Sequence, residues 1–389
     1  MKRQKVVILG GGMIGSAIAM DLSRRGQADV TVADLRADVR ERIESRYAVK
    51  TVAADLSRPA AITALVEGYD LVVGALPSVL GYQTLEAVIA AGKDYCDISF
   101  MPENALELDA RAREKGVCAV VDCGVAPGVS NVMAGYAAAH LAPFESLEIY
   151  VGGLPRVRRW PFDYKAGFAP FDVIEEYTRP ARIVEHGRVV VREALSEAER
   201  MDFPGVGTLE AFNTDGLRSL VHTLDVPFMK EKTLRYPGHI ELMRAFRELG
   251  LFSKDALKVG EATVRPLDVT AALLFPKWTF EEGEADLTVM RVIAQGLENG
   301  RPTRYVWDLL DRFDPETGLR SMSRTTAFPA AIMAGLMLEG GFRRPGVHAP
   351  ESVGREPGLL DRLLAELEDR GVVCRQSVAV EEPAAAAVA

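Results

Sequence analysis

Lys5–Arg36 reads KVVILGGGMIGSAIAMDLSRRGQADVTVADLR, and this stretch decides the fold. Val6, Val7, Ile8 and Leu9 form an apolar, mostly β-branched run, as a strand buried on both faces requires. Gly10, Gly12 and Gly15 follow as G-x-G-x-x-G, with Met13 and Ile14 opening a helical pattern that stops at Gly26. A second strand, Val30–Ala33, ends on Asp34, 19 residues after Gly15. In such a unit the glycines make a tight turn, let a pyrophosphate approach the backbone and permit close helix–strand contact. The helix N-terminus adds unpaired N–H groups and a positive dipole end. All these parts in register predict dinucleotide binding, with Asp34 accepting from both ribose hydroxyls of an adenosine. Asp34 would repel a 2′-phosphate and so selects NAD, whereas Arg36 could pair with one and leaves NADP open.

Strand–helix alternation continues beyond this unit. Strands are expected at Lys50–Ala54, Asp70–Ala75, Asp94–Ile98 and Cys118–Cys123, with helices over Ala60–Glu67, Tyr82–Ala91 and Asn104–Lys115 between them. Six strands separated by helices imply an α/β fold: a Rossmann domain over residues 1–130, with a parallel, doubly wound sheet. Ligands in that architecture lie beyond the carboxyl ends of the strands. This nominates Asp55, Ala75, Leu76 and Pro77 beside the cofactor, Ser78 toward the substrate, and Asp97 and Cys123 as catalytic candidates.

The pattern changes after Asn131. Glu148–Val151 reads as a strand, Ala181–Val191 as a hairpin turning at His186-Gly187, and Leu287–Ile293 with Arg304–Leu309 as a hairpin around Asn299-Gly300. Hairpins imply an antiparallel sheet, so residues 131–322 are expected to form a second, α+β domain for substrate binding and dimerisation. Helices over Thr325–Leu338 and Leu359–Arg370 and a strand at Val372–Arg375 follow. The segment 323–389 is expected to return to the first domain, its tail EEPAAAAVA frayed.

Composition sets outer bounds. A chain of 389 residues with 48% hydrophobic content suits two domains with a sizeable core. A net charge of −9 argues against a nucleic-acid partner. No apolar run approaches the ~18 residues of a membrane span. Cys96, Cys118, Cys123 and Cys374 form no C-x-x-C pair and no metal-ligand cluster, so they read as free thiols, and no metal is expected. With Met1 leading straight into a strand, the expected location is the cytoplasm.

Four later phrases occur in order: Asp122–Gly128 (DCGVAPG), Tyr150–Pro155 (YVGGLP), Leu209–Thr214 (LEAFNT) and Lys232–His239 (KTLRYPGH). With the glycine motif, they make the chain resemble the saccharopine reductase and lysine 6-dehydrogenase family, most nearly its lysine 6-dehydrogenase branch. The resemblance implies an N-terminal Rossmann domain, a central α+β domain that dimerises, and NAD(P)-linked chemistry at the terminal amino carbon of lysine. The saccharopine branch typically carries an arginine in a P-N-R-D-S phrase; here Phe212–Gly216 reads FNTDG, with threonine in its place. Loss of that bidentate clamp counts against a dicarboxylic substrate. After Asp97 the chain reads ISFMPE, where the lysine branch has a glycine-rich turn with a histidine.

Oxidising an amine by hydride transfer requires a neutral nitrogen, a carbon held near the nicotinamide and tolerance of the developing iminium. Asp97 is the candidate base, its alternative being a turn carboxylate. Cys123 could hydrogen-bond in the same cleft or simply pack. Arg235 is the candidate fork for a substrate carboxylate, its alternative a structural ion pair. Tyr164, Asn213 and His239 are further substrate candidates, with Tyr236 and Lys165 nearby and with core packing as their alternative. The turn Ala126-Pro127-Gly128 offers backbone N–H groups to a carboxylate or amide. The expected function is NAD(P)-dependent oxidative deamination of a basic amino acid, most simply L-lysine to its 6-semialdehyde, by a homodimer. The alternatives are a saccharopine- or carboxy-polyamine-type dehydrogenase acting on a secondary amine, and a non-catalytic nucleotide-sensing regulator.

Overall fold

The computed structural model describes residues 3–26, 28–167 and 170–380; the tail read as frayed lies outside them. Contacts divide the chain into two units. The first runs to Tyr136 and resumes over Ser323–Val372, and the second holds Ala137–Met322 and the residues from Val373 on.

In the first unit β1 (Lys5–Leu9), α1 (Met13–Arg24), β2 (Asp29–Ala33), α2 (Ala37–Tyr47), β3 (Lys50–Val52) and α3 (Pro59–Val66) alternate. Then come β4 (Leu71–Gly74), α4 (Ser78–Ala90), β5 (Asp94–Asp97), α5 (Asp109–Lys115), β6 (Cys118–Val120) and α6 (Val129–His140). Val6 to Leu9 are fully buried, as a central strand demands. All pairings are parallel, in the order β6-β5-β4-β1-β2-β3. A seventh strand, Gly346–His348, extends this sheet beside β6 and was not anticipated. The order reverses between β1 and β4, which opens a crevice at the carboxyl ends of those two strands. β6 stops three residues before the expected Cys123, because Asp122 turns the chain with φ +54°.

The second unit holds β7 (Phe144–Pro155), α7 (Pro170–Thr178), β8 (Ala181–Glu185), β9 (Arg188–Arg192), β10 (Glu199–Phe203) and β11 (Gly207–Asn213). It continues through α8 (Leu220–Thr223), β12 (Phe228–Arg235), α9 (His239–Glu248), a small hairpin β13 (Leu257–Val259) and β14 (Ala262–Val264), and α10 (Pro266–Trp278). The long hairpin β15 (Asp286–Glu298) and β16 (Arg301–Arg312) turns at Asn299-Gly300, both with positive φ. The main sheet runs β10-β11-β12-β7-β15-β16 and ends on Cys374–Val380, with β8 and β9 branching from β12. It is mixed rather than purely antiparallel, because β7 and β12 run parallel. Pairing of Cys374–Val380 with β16 also corrects the expectation that all of 323–389 returns to the first unit. An aromatic core of Tyr164, Tyr177, Phe212, Phe252 and Trp278 gathers helices α7, α9 and α10 on the sheet.

A candidate cofactor cradle and catalytic carboxylate

The glycine turn closes on itself. Gly10 has φ +100°, and a Cβ there would lie 2.5 Å from the Ala75 carbonyl; one on Gly15 would lie 2.0 Å from the Gly10 carbonyl. Gly12 instead faces open space, with nothing within 4 Å of where its Cβ would be. No side chain caps α1 at Gly12, so the first-turn N–H groups, including those of Met13 and Ile14, have no partner inside the helix. Open space over unpaired amides suits a pyrophosphate.

Asp34 ends β2 and is fixed by two backbone donors: Gly11 N–H to Oδ2 at 2.8 Å and Arg36 N–H to Oδ1 at 2.9 Å. The Arg36 guanidinium turns away to Asp38. Asp55 accepts from the Ser57 amide and hydroxyl at 3.1 and 2.6 Å, closing a turn after β3. Ala75 donates to the Leu9 carbonyl at 2.9 Å, which ties the end of β4 to the end of β1. Leu76 is half-buried, and Pro77 caps α4, which Ser78 opens. Ala75, Leu76 and Pro77 thus stand at the end of β4 beside that of β1, while Asp34 and Asp55 follow the neighbouring strands β2 and β3.

Asp97 ends β5 and is wholly buried. Oδ1 accepts from Ser99 Oγ at 2.8 Å and from the Tyr95 hydroxyl at 3.1 Å. Oδ2 has no partner. Burial, against the opposing hydrogen bonds of Ser99 and Tyr95, pushes the carboxyl up to about 7. A buried acid with one oxygen fully engaged and the other unused is poised to exchange a proton near neutrality. Cys123 donates its amide to the Asp97 carbonyl at 2.8 Å, while its Sγ lies 3.6 Å from the Val120 and Val121 carbonyls. Burial raises its thiol well above the usual range, and with its Sγ held by those backbone carbonyls it takes the packing alternative. In the following turn the Gly128 N–H is taken by Asn131 Oδ1, and Val129 and Ser130 donate to the Gly124 and Val125 carbonyls. The Gly128 N–H is therefore already used within the fold, against the expectation that it faces a ligand.

The second unit gathers Tyr164, Arg235 and His239, but into a closed seam. Arg235 is 2% exposed; its Nη2 donates to Glu176 at 2.6 Å and its Nε to the Tyr177 hydroxyl at 3.2 Å. The Tyr177 hydroxyl in turn donates to His239 Nε2 at 2.9 Å, and His239 Nδ1–H donates to the Phe162 carbonyl at 2.8 Å. Burial and the nearby Arg235 charge lower His239 to about 3, so it stays neutral. The Tyr164 ring lies 4.4 Å from the guanidinium carbon. Arg235 thus takes its alternative reading, a structural ion pair, and its fork is not open to a substrate carboxylate. Asn213 is held apart from this seam, by Ser196 and Glu197 at 3.1 and 3.0 Å. Tyr236 donates to the Pro155 carbonyl, and Lys165 pairs with Glu284. Glu231, on the strand face of β12 that carries Arg235, is buried beside Thr214, which donates to it at 2.5 Å. Burial, with Glu176 and Asp215 adding to it, pushes Glu231 up to about 8.

Sequence reading missed Tyr95, Glu176, Tyr177 and Glu231. The first had a signal: Tyr95 and Asp97 share one face of a strand. Glu176 and Tyr177 had none, being joined to Arg235 only by folding.

Comparison with known proteins identifies the family and the fold. Residues 6–120 match the saccharopine dehydrogenase NADP binding domain, and residues 124–372 the saccharopine dehydrogenase C-terminal domain. The chain belongs to the saccharopine dehydrogenase family. Its fold matches that of a saccharopine dehydrogenase (L-Glu forming) from Saccharomyces cerevisiae, with a TM-score of 0.79 over 97% of this chain and 100% of the other at 19% identity. It is 24% identical to the carboxyaminopropylagmatine dehydrogenase of Synechocystis over 95% of this chain and 96% of that one. It is also 24% identical to the mitochondrial alpha-aminoadipic semialdehyde synthase of Bos taurus, over 94% of this chain but 47% of the relative. The chain therefore spans less than half of that larger relative. This relative and its mouse and rat counterparts are mitochondrial, which overturns the cytoplasmic expectation.

Proposed function

We propose that this chain is an NAD(P)-dependent oxidoreductase that makes or breaks the C–N bond of a secondary amine built on a basic amino acid or polyamine. The observation that carries the reading is the unpartnered Oδ2 of Asp97 at a strand end of a dinucleotide-binding sheet. The unpaired amides after Gly12 would hold the pyrophosphate, Gly10 and Gly15 keep the turn tight, and Asp34 would receive the ribose hydroxyls. A dinucleotide held there would supply a hydride acceptor for the carbon attached to nitrogen. Asp97 Oδ2 takes the proton from the substrate nitrogen, leaving a C=N bond. Water then adds to that carbon, the C–N bond breaks, and an aldehyde and a primary amine are released. Because Asp34 is already oriented by two amides and Arg36 is turned to Asp38, NAD is the preferred cofactor.

The named relatives support a secondary amine more than free lysine, and none of those named is a lysine 6-dehydrogenase, the branch that sequence reading expected. Between the secondary amines, Thr214 stands where the saccharopine phrase has arginine, and the loss of that bidentate fork favours a carboxyalkyl polyamine over a dicarboxylic substrate. The test is absorbance at the NADH band with purified protein, each cofactor, and saccharopine, carboxyalkyl polyamines and lysine in turn. Turnover of a secondary amine with release of a primary amine supports the proposal, and turnover of lysine with ammonia release moves the chain to the primary-amine reading. Cofactor binding with no turnover on any amine favours a nucleotide-sensing regulator.

A further inference from the structure

We propose that Tyr95 is a positioning residue for this reaction: its hydroxyl holds one oxygen of Asp97 so that the other is presented to the substrate nitrogen. The inference rests on the catalytic reading of Asp97 given above. Tyr95 is fully buried in the middle of β5, where an apolar residue would serve packing equally well. Its hydroxyl instead reaches Asp97 Oδ1, two residues on along the same strand face, at 3.1 Å. Ser99, two residues past the end of β5, donates to the same oxygen at 2.8 Å. Two donors on Oδ1 and none on Oδ2 make the carboxyl asymmetric, which is what a directed proton acceptor needs.

The neighbouring strand is shaped to allow this. Gly74 of β4 lies opposite Asp97 in the parallel register. A Cβ at Gly74 would fall 2.0 Å from the Tyr95 hydroxyl and 2.3 Å from Asp97 Oδ1. Glycine there leaves the space that the hydroxyl–carboxyl contact occupies. Among the described residues, the other ionisable groups near Asp97 include Cys96 of β5 and Asp122 and Cys123 after β6; Asp122 opposes ionisation of Asp97. Tyr95 and Ser99 are therefore the groups that stabilise its charged form. Burial and the Asp97 charge hold the Tyr95 phenol well above its ordinary range, so it remains a donor and does not relay the proton itself.

The experiment compares pH profiles of kcat for the full chain, its Tyr95→Phe variant and its Asp97→Asn variant, alongside dinucleotide affinity. In Tyr95→Phe the acidic limb is expected to move up by about one pH unit. Activity then returns toward the wild-type level at high pH, and dinucleotide affinity is unchanged. Ring-fluorinated tyrosine at Tyr95, nearly isosteric and a stronger donor, is expected to move the limb the other way, so the test survives if the phenylalanine variant folds poorly. A Tyr95→Phe limb that stays in place, or a kcat lowered equally at every pH, overturns the positioning role while Asp97→Asn inactivity leaves the catalytic reading standing. An Asp97→Asn variant with wild-type kcat overturns both.

Discussion

Each unit buries a charged side chain among aromatic or apolar neighbours, and the two treat it in opposite ways. Around Arg235 each group hands its hydrogen bond on: guanidinium to Glu176 and Tyr177, Tyr177 to His239, His239 to the Phe162 carbonyl. Around Asp97 the bonding stops halfway, with Oδ1 doubly engaged and Oδ2 bare. A buried polar atom without a partner costs free energy that folding alone does not recover. The completed network is therefore a structural brace, and the incomplete one is consistent with the role proposed for Asp97.

The sharpest way to break that contrast is Asp97→Asn, expected to lower kcat by about 10²–10⁴-fold with dinucleotide affinity retained; near-normal turnover would remove Asp97 from the chemistry. Arg235→Ala should do the reverse, costing about 3–5 kcal/mol of stability in chemical denaturation because Glu176 is left without its buried cation. A protein of normal stability with only a raised KM would return Arg235 to the substrate.

Titration separates the seam's two buried groups. Glu231 has its folded value raised, so the stability it contributes is complete below the unfolded value of about 4.3 and is lost as pH rises toward 8. Glu231→Gln should therefore gain on the wild type by up to about 1.4 kcal/mol per pH unit through that window. A difference flat with pH would show that Glu231 is already ionised. His239 has its folded value lowered, so stability is complete above about 6.5 and falls as pH drops toward 3. The deficit of His239→Gln against the wild type should accordingly narrow on acidification, and a deficit that widened would contradict a neutral His239. The smallest effect is expected at Asp34→Ala: NAD affinity weakened about tenfold in a fluorescence titration and NADP discriminated against less, with the unfolding midpoint little changed. Unaltered preference between the two dinucleotides would remove Asp34 from the ribose.

How much was legible follows from how far apart the partners lie. The hairpin at Asn299-Gly300 could be read because both strands flank one short turn whose residues tolerate positive φ. The strand Gly346–His348 could not: three residues carry no periodicity, and their partner Cys118–Val120 is remote in the chain. Helix α6 escaped notice for a related reason. Its Gly135 looks like a breaker, yet a Cβ there would fall 2.0 Å from the Glu351 carbonyl, so the glycine permits close packing on a distant segment.

The sequence by itself determined the dinucleotide cradle, because turn, helix N-terminus and terminal acid all lie within Lys5–Arg36 and local backbone preference suffices to form them. It also placed Asp97 at a strand end. Only the tertiary structure decided what the remaining candidates do. Arg235 became a brace because Glu176 and Tyr177, 59 and 58 residues away, reach it before any ligand does. Periodicity assigns a side chain to a face, but which group meets it there is settled when separate elements pack.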